Sequence, residues 1–112
     1  MDNHIDYIEL KAQNLEAVKA FYHRCFHWKF TDYGPEYCSF ENSGIPGGFR
    51  KSDDPPCDGV LVVLYHKDLE ALPEKIREAG GQITKDIFSF PGGRRFHFRD
   101  PAGNELAVWS EP

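Results

Sequence analysis

The chain has few of the features that would announce a partner. Its 13 Lys and Arg against 18 Asp and Glu leave a net charge of -5, so there is no basic field to gather phosphates, and neither nucleic acid nor an anionic membrane surface is expected as a partner. No apolar run approaches the ~20 residues that span a bilayer. The N-terminal Met-Asp-Asn-His-Ile-Asp-Tyr has no basic segment ahead of an apolar one, which predicts a soluble, cytoplasmic protein. The 3 cysteines, Cys25, Cys38 and Cys57, are odd in number and lack C-x-x-C spacing, so neither a disulfide framework nor a zinc knuckle is expected. No basic residue stands beside them in a catalytic arrangement, and Cys38 reads as a core residue. Gly47-Gly48 and Gly92-Gly93 do not stand between a strand and a helix, which leaves them as turn or edge glycines rather than a nucleotide loop.

What is present suits one small domain. A chain of 112 residues can bury roughly 65% of its unfolded surface, and 9 Phe in a 14% aromatic composition give it flat, bulky core material. Residues 4–12 read as a strand with Ile8 and Leu10 on one face and Tyr7 and Glu9 on the other. Asn14 is placed to cap a helix whose apolar face carries Leu15, Val18, Phe21, Tyr22 and Cys25 or Phe26. Strands follow at 28–30 and 37–41, joined by the turn Tyr33-Gly34-Pro35-Glu36, and a weak, glycine-rich strand over 44–49 follows the turn Asn42-Ser43-Gly44. Residues 51–59 are charged and proline-rich, as a linker is.

Beyond the linker the pattern restarts. A strand over 60–65 leads to Asp68 as a cap and to a helix burying Leu69, Leu72, Ile76 and Ala79, with Pro73 in its first turns and Gly80-Gly81 stopping it. Strands over 82–88 and 96–109 follow, the second folded into a hairpin at Asp100-Pro101-Ala102-Gly103-Asn104. Asn14-Leu15-Glu16-Ala17-Val18 recurs as Asp68-Leu69-Glu70-Ala71-Leu72 about 50 residues further on. The chain therefore reads as a duplication, with module one about 1–50, the linker about 51–59 and module two about 60–112. The expected fold is α+β, two βαβββ modules forming a cupped mixed sheet with a concave inner face.

Three segments carry a resemblance. Residues 7–30, running through Ala20-Phe21-Tyr22 to Phe26-His27-Trp28, the helix end Ile76-Arg77-Glu78-Ala79-Gly80-Gly81, and the hairpin with Arg99-Asp100-Pro101-Ala102-Gly103-Asn104-Glu105-Leu106 resemble the vicinal-oxygen-chelate superfamily. That superfamily holds glyoxalase I, bleomycin-resistance proteins and extradiol dioxygenases, and the likeness is nearest to its glyoxalase-related branch. His27 stands where the family typically has the glycine of Phe-Gly-Trp. The resemblance implies a ligand-binding cup and a homodimer. It also implies a divalent ion held by His-like and Glu ligands on inner strand positions. Those positions fall on Tyr7, on Gly47 or Gly48, on Val60 or Leu61, and on Ala107, none of which offers a lone pair suited to a divalent metal, so no metal cofactor is expected. His4 points to the face opposite Tyr7 by alternation and reads as solvated.

A ligand in the cup would meet Tyr7, Glu9, Glu105 and Trp109. Glu9 and Glu105 are the candidate general acid or base, because a carboxylate in a partly apolar pocket has a raised pKa; their alternative role is in rim ion pairs. Arg95, His97 and Arg99 share one face of their strand, which reads as a solvated outer face with Phe96 and Phe98 in the core, an anion-binding face being the alternative. His23 and His27 flank a helix end and read as structural. The expected function is metal-independent binding of a small molecule, with or without carboxylate acid–base chemistry. The alternatives are a metal-dependent glyoxalase I-like lyase or isomerase, and a structural or regulatory dimer with a filled cup.

Overall fold

A computed structural model of the chain describes residues 1–53, 59–101 and 104–112. Most of the expected linker, Cys57 with it, and Ala102 and Gly103 of the last turn lie outside the described residues. The chain forms two compact units, Tyr7–Leu61 on one hand and Met1–Asp6 with Val62–Pro112 on the other. The elements of the first half are β1 (His4–Ala12), α1 (Leu15–Phe26), β2 (Lys29–Asp32), β3 (Tyr37–Glu41) and β4 (Gly47–Lys51). Those of the second are β5 (Leu61–Tyr65), a 3₁₀ turn (Leu69–Ala71), α2 (Pro73–Glu78), β6 (Gln82–Phe90), β7 (Gly93–Arg99) and β8 (Glu105–Ser110).

The duplication is repeated in the pairing. β1 runs parallel to β4, which is antiparallel to β3, which is antiparallel to β2. In the same way β5 runs parallel to β8, and β8, β7 and β6 pair antiparallel in turn. A parallel first pair cannot be closed by a tight turn, so in each half the chain crosses through a helix and an antiparallel hairpin before returning beside its first strand. The mixed α+β class expected from the sequence is what forms. The sequence did not reveal that Met1–Asp6 would pack with the second half. Asn3 N–H donates to the Tyr65 carbonyl at 2.7 Å, and Lys67 N–H donates to Asp2 Oδ1 at 3.0 Å.

In the first unit the Asn14 side chain caps α1 as expected, accepting from Ala17 N–H at 3.1 Å. Leu15, Val18 and Tyr22 pack onto Ala12, Cys38, Phe40 and Phe49, and the Tyr22 ring stacks on Trp28 with centroids 4.6 Å apart. The buried face is narrower than the sequence suggested. Phe21 and Phe26 are 54% and 58% exposed and Cys25 is exposed too, because only the 15, 18, 22 stripe faces the sheet. At the end of α1, His27 adopts a left-handed conformation with φ 61° while its N–H donates to the His23 carbonyl at 3.0 Å. A side chain at that φ costs about 1 kcal/mol that glycine avoids, so His27→Gly should raise the thermal midpoint by a few degrees in a calorimetric scan. An unchanged or lowered midpoint would show that the imidazole makes good the strain.

The second helix differs from expectation. Instead of one helix capped by Asp68, there is a 3₁₀ turn followed by the short α2, which starts at Pro73 where a missing N–H leaves no bond unmade. The Asp68 side chain caps nothing; its N–H donates to His66 Nδ1 at 3.0 Å. Leu69, Leu72 and Ile76 pack on Phe96 and Val108 as expected, whereas Ala79 is exposed. Gly80 ends the helix with φ +100°.

β4 is the largest departure. Far from a weak edge segment, it is paired on both sides, with Gly47, Gly48 and Phe49 buried. The two glycines are therefore not turn or edge residues. A Cβ on Gly47 would run into the Ile8 carbonyl and the Phe40 ring, and one on Gly48 would meet the Tyr37 hydroxyl, so the strand can sit there only without side chains. Gly93 is likewise buried within β7, leaving Gly92, φ +102°, as the turn residue.

Candidate functional site

Each four-stranded arrangement has one face covered by its helix and one that is not. In the first unit Leu10, Ala12, Cys38, Phe40 and Phe49 take the helical face. Alternation then places Tyr7, Glu9, Tyr37, Ser39 and Gly48 on the other. Tyr7 and Glu9 thus share a face, as the sequence indicated. Glu9 is buried, and the Tyr7 hydroxyl is hydrogen-bonded to that of Tyr37, which reaches it across Gly48. Burial pushes the Tyr7 phenol above its ordinary pKa, the Tyr37 bond pulls the other way, and the nearby charge of Glu9 adds to the rise. Tyr7 is thereby held as a neutral donor and acceptor. Sequence reasoning misses Tyr37, though a glycine inside a strand is the sequence mark of something crossing close above it.

In the second unit Phe96, Val108, Ile83 and Ile87 face the helix. The opposite face carries Val63 and Tyr65 on β5, Glu105, Ala107 and Trp109 on β8, and Arg95, His97 and Arg99 on β7. Glu105 and Trp109 occupy the face expected from alternation. The Trp109 indole N–H donates to Asp6 at 2.9 Å and its ring meets Tyr65 edge to face at 5.5 Å, so this tryptophan is pinned rather than loose. Val63 and Ala107 make a buried apolar floor beside it.

The histidine of that face corrects the sequence reading. His97 is not on a solvated outer face but only 7% exposed. Its Nδ1 lies 3.0 Å from Glu105 Oε2, and Glu105 also stands 3.7 Å from the Arg99 guanidinium. Glu105 therefore belongs to an ion-pair cluster, the role weighed against acid–base catalysis. A carboxylate only accepts, so Nδ1 carries the proton and Nε2 is left with a lone pair. That Nε2 is buried and has no hydrogen-bond partner. The ring lies 5.9 Å from Phe88, over which Lys85 Nζ and the Arg95 guanidinium are also stacked, 5.3 and 5.6 Å from the ring centroid. The sequence carried the signal in its hairpin register, which sets 97 opposite 107 and 99 opposite 105 and so brings Glu105 diagonally against His97.

Burial depresses the His97 pKa, the Glu105 hydrogen bond opposes that, and the Arg95 and Lys85 charges reinforce it. The folded protein then binds a proton here less readily than the unfolded chain. As pH falls through about 6.5, where an unfolded histidine titrates, this group costs stability, and above that pH it costs nothing. Urea midpoints at pH 8 and pH 5 should show a smaller acid loss for His97→Gln than for the unaltered protein. Equal losses would mean that His97 is protonated without penalty.

The positions that hold a divalent ion by resemblance do not suit one. Tyr7 is tied to Tyr37, Gly47 and Gly48 have no side chain, Leu61 is aliphatic and Ala107 presents a methyl. Among the described residues no three His, Cys, Asp or Glu side chains cluster as a metal site, and His4 is exposed. Among them, too, no helix is long and apolar enough to cross a membrane. The second unit has a small, mostly apolar cavity of about 170 Å³ against Leu64, Tyr65, Leu72, Ile76 and Phe98.

Residues 4–108 match the sequence pattern of the Glyoxalase/Bleomycin resistance protein/Dioxygenase superfamily. No curated protein matches the sequence. Among solved structures, a hypothetical protein from Bacillus halodurans C-125 superposes with a TM-score of 0.77 at 14% identity, over 97% of this chain and 94% of its own. The Mn(II)-bound glyoxalase from Novosphingobium aromaticivorans gives 0.72 at 21% identity, over 97% of this chain and 39% of its own. Methylmalonyl-CoA epimerase from Mycobacterium tuberculosis gives 0.73 at 11% identity, over 96% and 87%. At such identities these structures speak for the fold alone. The repeated strand pairing, the final hairpin and a pattern match over nearly the whole chain lead to one conclusion: this chain belongs to the Glyoxalase/Bleomycin resistance protein/Dioxygenase superfamily.

Proposed function

We propose that this protein binds a small organic molecule on the sheet face of its second half that lies away from the helix, and does so without the metal ion used by other members of the superfamily. One observation carries the reading: His97 is buried, oriented by Glu105, and keeps an Nε2 with no partner. A buried polar atom without a partner costs about 1–3 kcal/mol, which a ligand's hydroxyl or amide N–H would recover. Trp109 and Tyr65 offer flat apolar surface beside it, and Glu105 acts as a positioning residue that fixes the imidazole tautomer. Neutral His97 also has the lone pair a general base needs, so turnover by proton abstraction is compatible with the same arrangement. Tyr7 is hydrogen-bonded to Tyr37 in the first unit, and Glu9 is buried on the same strand face.

The test uses protein purified without an affinity tag. Nickel, zinc, manganese, cobalt and iron(II) are expected to give no saturable thermal stabilisation. A screen of aromatic and drug-like compounds should yield a ligand that stabilises the unaltered protein, as linkage requires of anything binding the native state, and not His97→Ala. A stoichiometric metal ion, or hits indifferent to His97, would overturn the proposal.

A further inference from the structure

We infer that α1 pairs with the α1 of a second copy of this chain, the two helices antiparallel with their outward faces in contact. Only Leu15, Val18 and Tyr22 of this helix pack on the sheet, so the opposite face is turned to solvent. A solvated helix face is ordinarily polar, and this one is not. Phe21 and Phe26 are each more than half exposed, with ring centroids 6.4 Å apart. Ala17, Ala20 and Cys25 are exposed around Phe21 and extend the patch along the helix. A contiguous apolar patch built on two exposed aromatic rings marks a contact surface.

The charges on the helix say what covers it. Glu16 lies in the first turn of α1 and Arg24 in the last, about two turns or ~12 Å apart. A two-fold axis through Ala20 turns a second helix end for end and brings Glu16 level with the partner's Arg24 at both ends of the pair. A parallel arrangement would set like charge against like. Glu16 has a side chain 83% exposed and meets Lys19 through Oε2, while that lysine is shared with Asp32 at 2.8 Å. Arg24 forms no ion pair among the described residues. The antiparallel arrangement also sets the positive N-terminal end of each helix beside the negative C-terminal end of the other. With alanine at the crossing the axes can approach to the ~8–10 Å of packed helices, and the two Phe21 rings meet beside the axis. One 12-residue helix against another gives an interface below ~1,200 Å², so the dimer is a weak one that forms as concentration rises.

Sedimentation equilibrium of the intact chain from about 1 to about 500 μM should show a monomer–dimer equilibrium. Phe21→Asp, at an exposed position, should raise the dissociation constant at least about tenfold and leave the circular dichroism unchanged. Glu16→Lys and Arg24→Glu each set like charges against one another across the pair, and each should weaken self-association. An equimolar mixture of these two variants should associate as the unaltered protein does, because opposite charges again meet at both ends. Mixing cannot repair a contact made elsewhere on the chain. A protein that stays monomeric over the whole concentration range would overturn the inference and leave the patch to a different partner. A dimer indifferent to Phe21→Asp would overturn it too, as would a mixture that associates no better than either variant alone.

Discussion

Phe96→Ala is expected to lower the free energy of unfolding by about 3–5 kcal/mol, the range for emptying a buried phenylalanine position. Phe96 is 0% exposed and joins Leu69 and Val108 in the core of the second unit, with Phe98 at 6.3 Å between ring centroids. It sits on β7, an inner strand paired on both sides, so the backbone cannot collapse into the space left behind. The helix above it is short. Six residues of α2 have no stability of their own in water and are held by the contact of Leu72 and Ile76 with this core. Losing the ring therefore loosens helix and sheet together. Against a total of about 5–15 kcal/mol for a domain of this size, the variant would be marginal at 37 °C. Urea unfolding followed by tryptophan fluorescence measures it, and a loss under about 1 kcal/mol would mean that Phe96 is not the centre of this core.

Gly47→Ala should destabilise by about 3 kcal/mol, the upper end of overpacking costs. The sign is what makes this informative. Gly47 lies in a strand without a positive φ, and there the chain-entropy argument alone favours alanine by about 0.5–1 kcal/mol. Packing reverses it. The new Cβ would be driven into the Ile8 carbonyl of the neighbouring strand as well as the Phe40 ring, and a backbone carbonyl in a sheet ladder cannot rotate away as a side chain does. A parallel measurement on Gly34→Ala gives the contrast. Its Cβ would meet nothing within 4 Å, so its cost comes only from φ +80° and should be about 1 kcal/mol. Equal losses at the two positions would show that β4 gives way to admit the methyl.

Part of the candidate site is legible in the sequence. Strand alternation puts Tyr7 with Glu9, and Glu105 with Trp109, on the faces they occupy, because side-chain direction in a strand has a period of two and needs no knowledge of neighbours. Alternation does not say which of the two faces is wet. The rule that antiparallel sheets bury one face sends His97 to solvent, whereas here both faces of β7 are covered, the Phe96 side by the helix and the His97 side by charged and aromatic neighbours. Arg95, His97 and Arg99 look like a solvent pattern in sequence because a polar cluster and a wet surface have the same alternation.

By itself the sequence determined the strands and the first helix, their order, the duplication and the superfamily, but not the break of the second helix into a 3₁₀ turn and a short α2. Those follow from local matters: the Asn14 cap, the apolar spacing of α1, the turn chemistry at Gly34, Gly80 and Gly92, and a final hairpin whose wording is specific. Only the tertiary structure decided what depends on residues far apart in the chain. It put Met1–Asp6 with the second half, turned Gly47 and Gly48 from weak strand residues into the place where Tyr37 and Phe40 cross, and joined His97 to Glu105 with one nitrogen unanswered. Close approach and burial are properties of pairs of residues brought together by the sheet, and a single chain read in order does not contain them.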